Sequence, residues 1–123
     1  MILGIGLDIV DLDRIEEVLK KWGDKFIDKI LTPNEKRSIP KNRVQYVGSR
    51  FAAKEAMVKA LGTGFSYGIS FKDIEVISQA NSSPEIVLNG NAKIVADKKK
   101  IKRIFLSISH EKNIATAAVV LEG

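Results

Sequence analysis

The 123-residue sequence contains no cysteine and a single histidine. Neither a disulfide framework, a thiolate metal site nor a zinc-ligand cluster can therefore be assembled from it. No apolar run approaches the roughly 20 residues of a membrane-spanning helix. The opening Met1-Ile2-Leu3-Gly4 lacks the charged region and cleavage site of a signal peptide, so the reading is cytoplasmic, with no membrane association. Neither GxGxxG nor GxxxxGK[ST] occurs, which removes the dinucleotide fingerprint and the P-loop. No internal repeat, low-complexity stretch or linker divides the chain, and one domain over residues 1–123 is expected.

What is present is a globular composition, 45% hydrophobic and 28% charged, with a formal charge of +5. A chain this size buries only about two-thirds of its unfolded surface, so stability drawn from subunit contacts is a natural supplement. The basic balance favours an acidic partner without choosing one. Its densest run, Lys98-Lys99-Lys100-Ile101-Lys102-Arg103, reads as a solvated face.

From Ile2 to Val10 the alternation sets Leu3, Ile5, Leu7 and Ile9 on one strand face, expected to pack, and Gly4, Gly6 and Asp8 on the other, expected to be bare. Asp11 can cap a helix whose stripe is Leu12, Ile15, Val18, Leu19 and Trp22, ending at Gly23. A shorter amphipathic piece presents Phe26, Ile27 and Ile30. Thr32-Pro33-Asn34-Glu35 is a capping box opening another short helix. A long helix runs from about Arg43 to Leu61, and Gly62-Thr63-Gly64 ends it. Phe71–Ser78 and Pro84–Leu88 read as a hairpin with a turn over 79–83. A basic helix follows Asn89-Gly90-Asn91, and Ile104–Ser109 and Ile114–Leu121 are closing strands. The class is α+β: an antiparallel sheet packed with one long helix and shorter helices.

Three residues are misplaced for a plain core. Glu55 falls inside the apolar stripe of the long helix, where a carboxylate needs a partner, a cation or a proton. Lys59, four residues on, is the ordinary partner. Asp8 ends the face cleared by Gly4 and Gly6, where something can approach closely. It either begins the helix cap or joins Glu55 in presenting two carboxylates to a hard cation such as Mg²⁺. His110 shares the parity of Ile104, Leu106 and Ile108. It is either a satisfied core residue or part of a site at the strand end beside Ser107 and Ser109. Gly62-Thr63-Gly64 could admit a phosphate near the backbone, or simply cap the helix.

Three segments, GIGLDIVDLDRIEEV at 4–18, RFAAKEAMVKALGTG at 50–64 and SISHEKNIATAAVVLE at 107–122, together resemble the holo-[acyl-carrier-protein] synthases, short 4′-phosphopantetheinyl transferases. The resemblance implies that fold. It also implies transfer of 4′-phosphopantetheine from coenzyme A to a serine of an apo acyl carrier protein, releasing 3′,5′-ADP, in support of fatty acid biosynthesis. Asp8 and Glu55 correspond to its Mg²⁺ ligands, with Lys59 supplying further positive charge. Arg50, Lys59, Gly62, Ser109 and His110 become candidates for coenzyme A contacts. Longer transferases hold their site between two similar halves. This chain has the length of one, so a homotrimer with sites between subunits is implied. Carrier proteins of this pathway are acidic, which makes the first helix a docking surface through Arg14, with Lys20 and Lys21 either joining it or forming a plain solvated face. The rival reading, a small basic nucleic-acid-binding domain, rests on charge alone and leaves Glu55 unexplained; no nucleic-acid partner is expected.

Overall fold

A computed structural model of the protein describes residues 1–79 and 81–123. Strand β1 (Ile2–Asp11) leads into helices α1 (Leu12–Trp22), α2 (Asp24–Ile30), α3 (Pro33–Arg37) and the long α4 (Arg43–Leu61). A 3₁₀ turn at Phe71–Asp73 precedes β2 (Ile74–Ile77) and β3 (Glu85–Leu88). Helix α5 (Gly90–Lys98) and strands β4 (Arg103–His110) and β5 (Ile114–Glu122) complete the order. β1, β5 and β4 form an antiparallel sheet in that order, and β2 and β3 form a separate antiparallel pair. The architecture is α+β, as expected. The turn anticipated over 79–83 includes Ala80, which lies outside the described residues.

Local chemistry accounts for the helix limits. The Asp11 side chain accepts from Asp13 N (2.9 Å) and opens α1. At α3, Glu35 N donates to Thr32 Oγ1 (3.2 Å) and Thr32 N donates to Glu35 Oε1 (2.8 Å), so the capping box is reciprocal. Gly62, in the left-handed region at φ 79°, closes α4. The sequence-based hairpin is shorter than expected, because Phe71 to Asp73 turn before pairing begins at Ile74.

The two faces of β1 are the reverse of the sequence expectation. Leu3, Ile5, Leu7 and Ile9 stand 44%, 69%, 58% and 63% exposed. The glycine face is the one that packs. A Cβ on Gly4 would lie 2.1 Å from the Ala60 carbonyl oxygen, and one on Gly6 only 1.8 Å from that of Ala56. The strand therefore rests directly on the backbone of α4, and bulk is not the marker of burial here. Small residues meet small residues: Ala52, Ala56 and Ala60 of α4 are almost wholly buried, as are Ala117 and Val119 of β5. Trp22, read as the end of the α1 stripe, is instead 52% exposed, while Leu12, Ile15 and Leu19 carry the packing.

Candidate active site

The contact between β1 and α4 does more than fill a core. Two strand residues advance about 6.7 Å and one helical turn about 5.4 Å, so the steps nearly match. Gly4 meets Ala60 and Gly6 meets Ala56. The same face continues to Asp8, which thus reaches the flank of α4. Lys59 Nζ donates to Asp8 Oδ1 (2.9 Å) and to the Leu7 carbonyl (3.1 Å).

This assignment corrects two ordinary readings. Lys59 pairs with Asp8 across elements and not with Glu55 along the helix, and the cap of α1 is Asp11, not Asp8. Glu55 belongs to none of the ion pairs among the described residues. Burial holds its carboxyl above the ordinary value of 4.5, the neighbouring Asp8 charge adds to the rise, and Lys59 opposes it. Two carboxylates and one ammonium therefore converge. Beside them opens a groove of about 540 Å³, running from Asp8 past Arg14, Ile15 and Val18 to Phe26 and Phe51.

A second locus lies elsewhere on α4. The Arg50 guanidinium sits over the Tyr46 ring, 3.9 Å from its centroid. Its Nη1 donates to Ser49 Oγ (3.0 Å), while the buried Nε has no partner among the described residues. Gln45 Nε2 lies 2.7 Å from His110 Nδ1, within hydrogen-bond distance. These residues, with Ser78 and Pro84, line a cavity of about 450 Å³. His110 thus keeps the parity expected of it, but the strand ends there and the ring is exposed. Ser109 points to the opposite, outer face of the sheet. Arg50 and Lys59 are nine residues apart on α4, which puts them roughly 13 Å apart along the axis and half a turn around it.

The other sequence candidates are less concentrated. Gly62, Thr63 and Gly64 spend their amides on the carbonyls of Lys59 and Val58, the ordinary cap. What remains for a ligand is open space, since nothing lies within 4 Å of the position a Gly62 Cβ would take. Arg14 borders the groove beside Asp8. Lys20 pairs with Glu16 at 3.5 Å and Lys21 lies 5.4 Å from the centre of the Trp22 ring, both at the far end of α1.

Sequence reasoning missed Gln45, Tyr46 and a buried ion pair. Lys54 is fully buried, and its Nζ donates to Glu35 Oε1 and to the Ile30 carbonyl, each at 2.6 Å. Burial lowers the Lys54 ammonium from the ordinary lysine value, with Glu35 opposing. Its neighbour Glu55 drew attention as the misplaced charge, while Glu35 was read only as a cap.

Residues 4–118 match the profile of the 4′-phosphopantetheinyl transferase superfamily. The holo-[acyl-carrier-protein] synthase of Maridesulfovibrio salexigens is 49% identical over 123 residues, 99% of each chain. In structure, the chain superimposes on the holo-[acyl-carrier-protein] synthase of Neisseria meningitidis with a TM-score of 0.93 at 40% identity, covering 100% of both chains. The Helicobacter pylori holo-[acyl-carrier-protein] synthase in complex with coenzyme A gives 0.85 at 36% identity, covering 96% of this chain and 99% of that one. Matched over its length in both sequence and fold, the chain belongs to the holo-[acyl-carrier-protein] synthases of the 4′-phosphopantetheinyl transferase superfamily and is a transferase.

Proposed function

We propose that this protein is a single transferase domain that moves 4′-phosphopantetheine from coenzyme A to a serine hydroxyl of apo acyl carrier protein, with Mg²⁺ held by Asp8 and Glu55, in support of fatty acid biosynthesis. The observation that carries this reading is the seating of Asp8 beside Glu55 and Lys59 by the glycine face of β1.

The donor set fits a hard divalent cation. Two carboxylates of like charge lie close enough for one to raise the proton affinity of the other, and that repulsion is what a cation relieves. Among the described residues no group of three or more histidine, cysteine or acidic side chains could hold a metal. A pair of carboxylates leaves the remaining positions to phosphate oxygens and water, the usual situation for Mg²⁺. When bound, the cation would neutralise charge on the pyrophosphate.

The chain's own groups supply the rest. The serine oxygen bonds to the β-phosphorus as the bond from that phosphorus to the bridging oxygen breaks, and 3′,5′-ADP leaves. A carboxylate such as Glu55 is assigned to take the serine proton, on its place at the reaction centre. Lys59, tethered to Asp8 and the Leu7 carbonyl, counters the charge that grows on the departing phosphate.

Arg50 and His110 are assigned to the nucleotide end of coenzyme A, in the cavity they share with Gln45 and Tyr46. Gly62 and Ser109 are retained as secondary contacts. Because Arg50 and Lys59 face opposite sides of α4, one coenzyme A joins them only if each comes from a different subunit. The open face of Leu3, Ile5, Leu7, Ile9 and Phe105 supports such an assembly, a homotrimer in this reading, since an apolar patch of that extent calls for a cover.

The carrier is assigned to α1 and the adjoining groove, with Arg14 lining the groove beside Asp8 and Lys21 a more distant contact at the far end of α1. Arg14→Glu is expected to raise the KM for the carrier about tenfold, the equivalent of one charge-assisted contact, with the KM for coenzyme A unchanged. Steady-state kinetics with each substrate varied in turn checks this.

The test of the function is mass spectrometry of purified apo acyl carrier protein incubated with this protein, coenzyme A and Mg²⁺. A gain of one phosphopantetheine that disappears in EDTA is the expected result. No gain with several carriers, from folded protein, would overturn the reading.

A further inference from the structure

We infer that the buried Lys54–Glu35 pair is a positioning device for the reaction: it sets the rotation of α4 that carries Glu55 to Asp8 and Arg50 to the nucleotide cavity. This rests on the transfer reading above.

The pair is buried and hydrogen-bonded on both sides. The two side chains are 0% and 1% exposed. Lys54 Nζ holds the Ile30 carbonyl as well as Glu35 Oε1. Glu35 in turn accepts from Thr32 N on Oε1 and from Val76 N on Oε2, both at 2.8 Å. One charged pair thus ties α4 to the end of α2, the cap of α3 and strand β2. Net stability is a poor explanation for such a pair, because apolar replacements of similar volume are often neutral or stabilising.

Helix geometry supplies a better one. Ala56 and Ala60 meet β1, and at 3.6 residues per turn Lys54 projects from nearly the opposite side. The Gly/Ala contact is smooth and offers no large side chain to stop α4 from turning. On the other side the buried Val47, Met57 and Leu61 pack α4, and Lys54 adds the directional contacts. Arg50 and Tyr46 lie one and two turns before it on the same side, and Tyr46 Oη donates to the Glu35 carbonyl at 2.7 Å while its ring supports Arg50. A rotation of about 10° moves a carboxylate some 6 Å from the helix axis by about 1 Å. A misplacement of that size costs on the order of a hundredfold in rate.

The experiment is the double variant Lys54→Met/Glu35→Gln, which removes both charges and keeps an amide carbonyl at position 35 for one of the two N–H donors. Wild type is measured first for transfer and for binding of 3′,5′-ADP; failure there sinks the transfer reading itself. The expected result is a variant that still unfolds cooperatively, with kcat down tenfold to a hundredfold and 3′,5′-ADP bound several-fold more weakly. A folded variant with wild-type kcat and wild-type 3′,5′-ADP affinity overturns the inference. Should the double variant not fold, Glu35→Gln alone decides, since position 35 lies outside the nucleotide cavity. It removes the charge that Lys54 pairs with, and is expected to lower kcat and weaken 3′,5′-ADP binding several-fold in a protein that still unfolds cooperatively. Wild-type kcat and wild-type binding in that variant overturn the inference.

Discussion

Glu55→Gln is expected to lower kcat on the order of a thousandfold while raising the Tm of the metal-free protein, the two effects having one origin. The Glu55 carboxyl is held above its ordinary value of 4.5 chiefly by burial and next by Asp8, with Lys59 only partly compensating. A raised folded-state value means that between the ordinary and the raised value the folded protein binds more protons than the unfolded one. Stability therefore falls as pH rises through that interval, and the full cost of the ionised carboxylate is present at neutral pH. Glutamine keeps the shape and removes the charge, so the variant melts higher at pH 7. Below the ordinary carboxylate value both proteins are neutral at this position, and the difference between them shrinks. Calorimetric melts at pH 7 and near pH 4 check the sign. Added Mg²⁺ is expected to raise the Tm of the wild type alone, since a ligand of the folded state stabilises it by mass action. A variant that melts lower than wild type at both pH values would make Glu55 a structural partner and remove the basis for its assignment as a metal ligand.

The parts of the molecule that were legible in the sequence are those encoded by neighbours. Asp11 before Leu12, Thr32 three residues before Glu35, and Gly62 after Leu61 mark helix ends through contacts completed within a few residues, and these limits agree with the structure. The alternation in β1 likewise groups Gly4, Gly6 and Asp8 on one face. Which face is buried was not legible there, because the usual marker is bulk. In this protein burial comes from two smooth surfaces meeting, and the second of them is some fifty residues away on α4.

The same distance hides Lys54, whose partner Glu35 looked complete as a cap. The candidate site divides in a similar way. Glu55 is anomalous by periodicity and Asp8 by its place on the glycine face of β1, and the family resemblance joins the two as metal ligands. Yet the separation of Arg50 from Lys59 on opposite sides of α4 follows from their spacing, and its meaning appears only once Lys59 is seen holding Asp8 while Arg50 lines another cavity.

The contrast between Gly6 and Ile5 turns that lesson into a measurement. By composition, Ile5 is the residue whose loss should damage a core, and Gly6 the one that tolerates a methyl group. The structure reverses this. A Cβ on Gly6 would lie 1.8 Å from the Ala56 carbonyl oxygen, 2.8 Å from Ala60 N and 2.9 Å from the Ala56 carbonyl carbon, all of them backbone atoms that cannot swing aside. Either α4 lifts from β1 or β1 leaves the sheet, and both moves open the packing of Ala52, Ala56 and Ala60 at once. Gly6→Ala is therefore expected to cost at least about 3 kcal/mol, above the usual range for an added methyl group because the clash is with helix backbone. That is a large share of the roughly 5–15 kcal/mol available to a domain of this size. Ile5, 69% exposed, should by contrast accept serine with little loss of the protomer's fold, the effect falling on self-association. Gly62→Ala is the control for backbone conformation alone: with φ at 79° and nothing within 4 Å, it carries only the left-handed strain, about 1–2 kcal/mol. Denaturant unfolding of the three variants, with sedimentation to follow association, separates them. If Gly6→Ala were as stable as wild type, the close seat of β1 on α4 would be wrong, and with it the path by which Asp8 reaches Glu55 and Lys59.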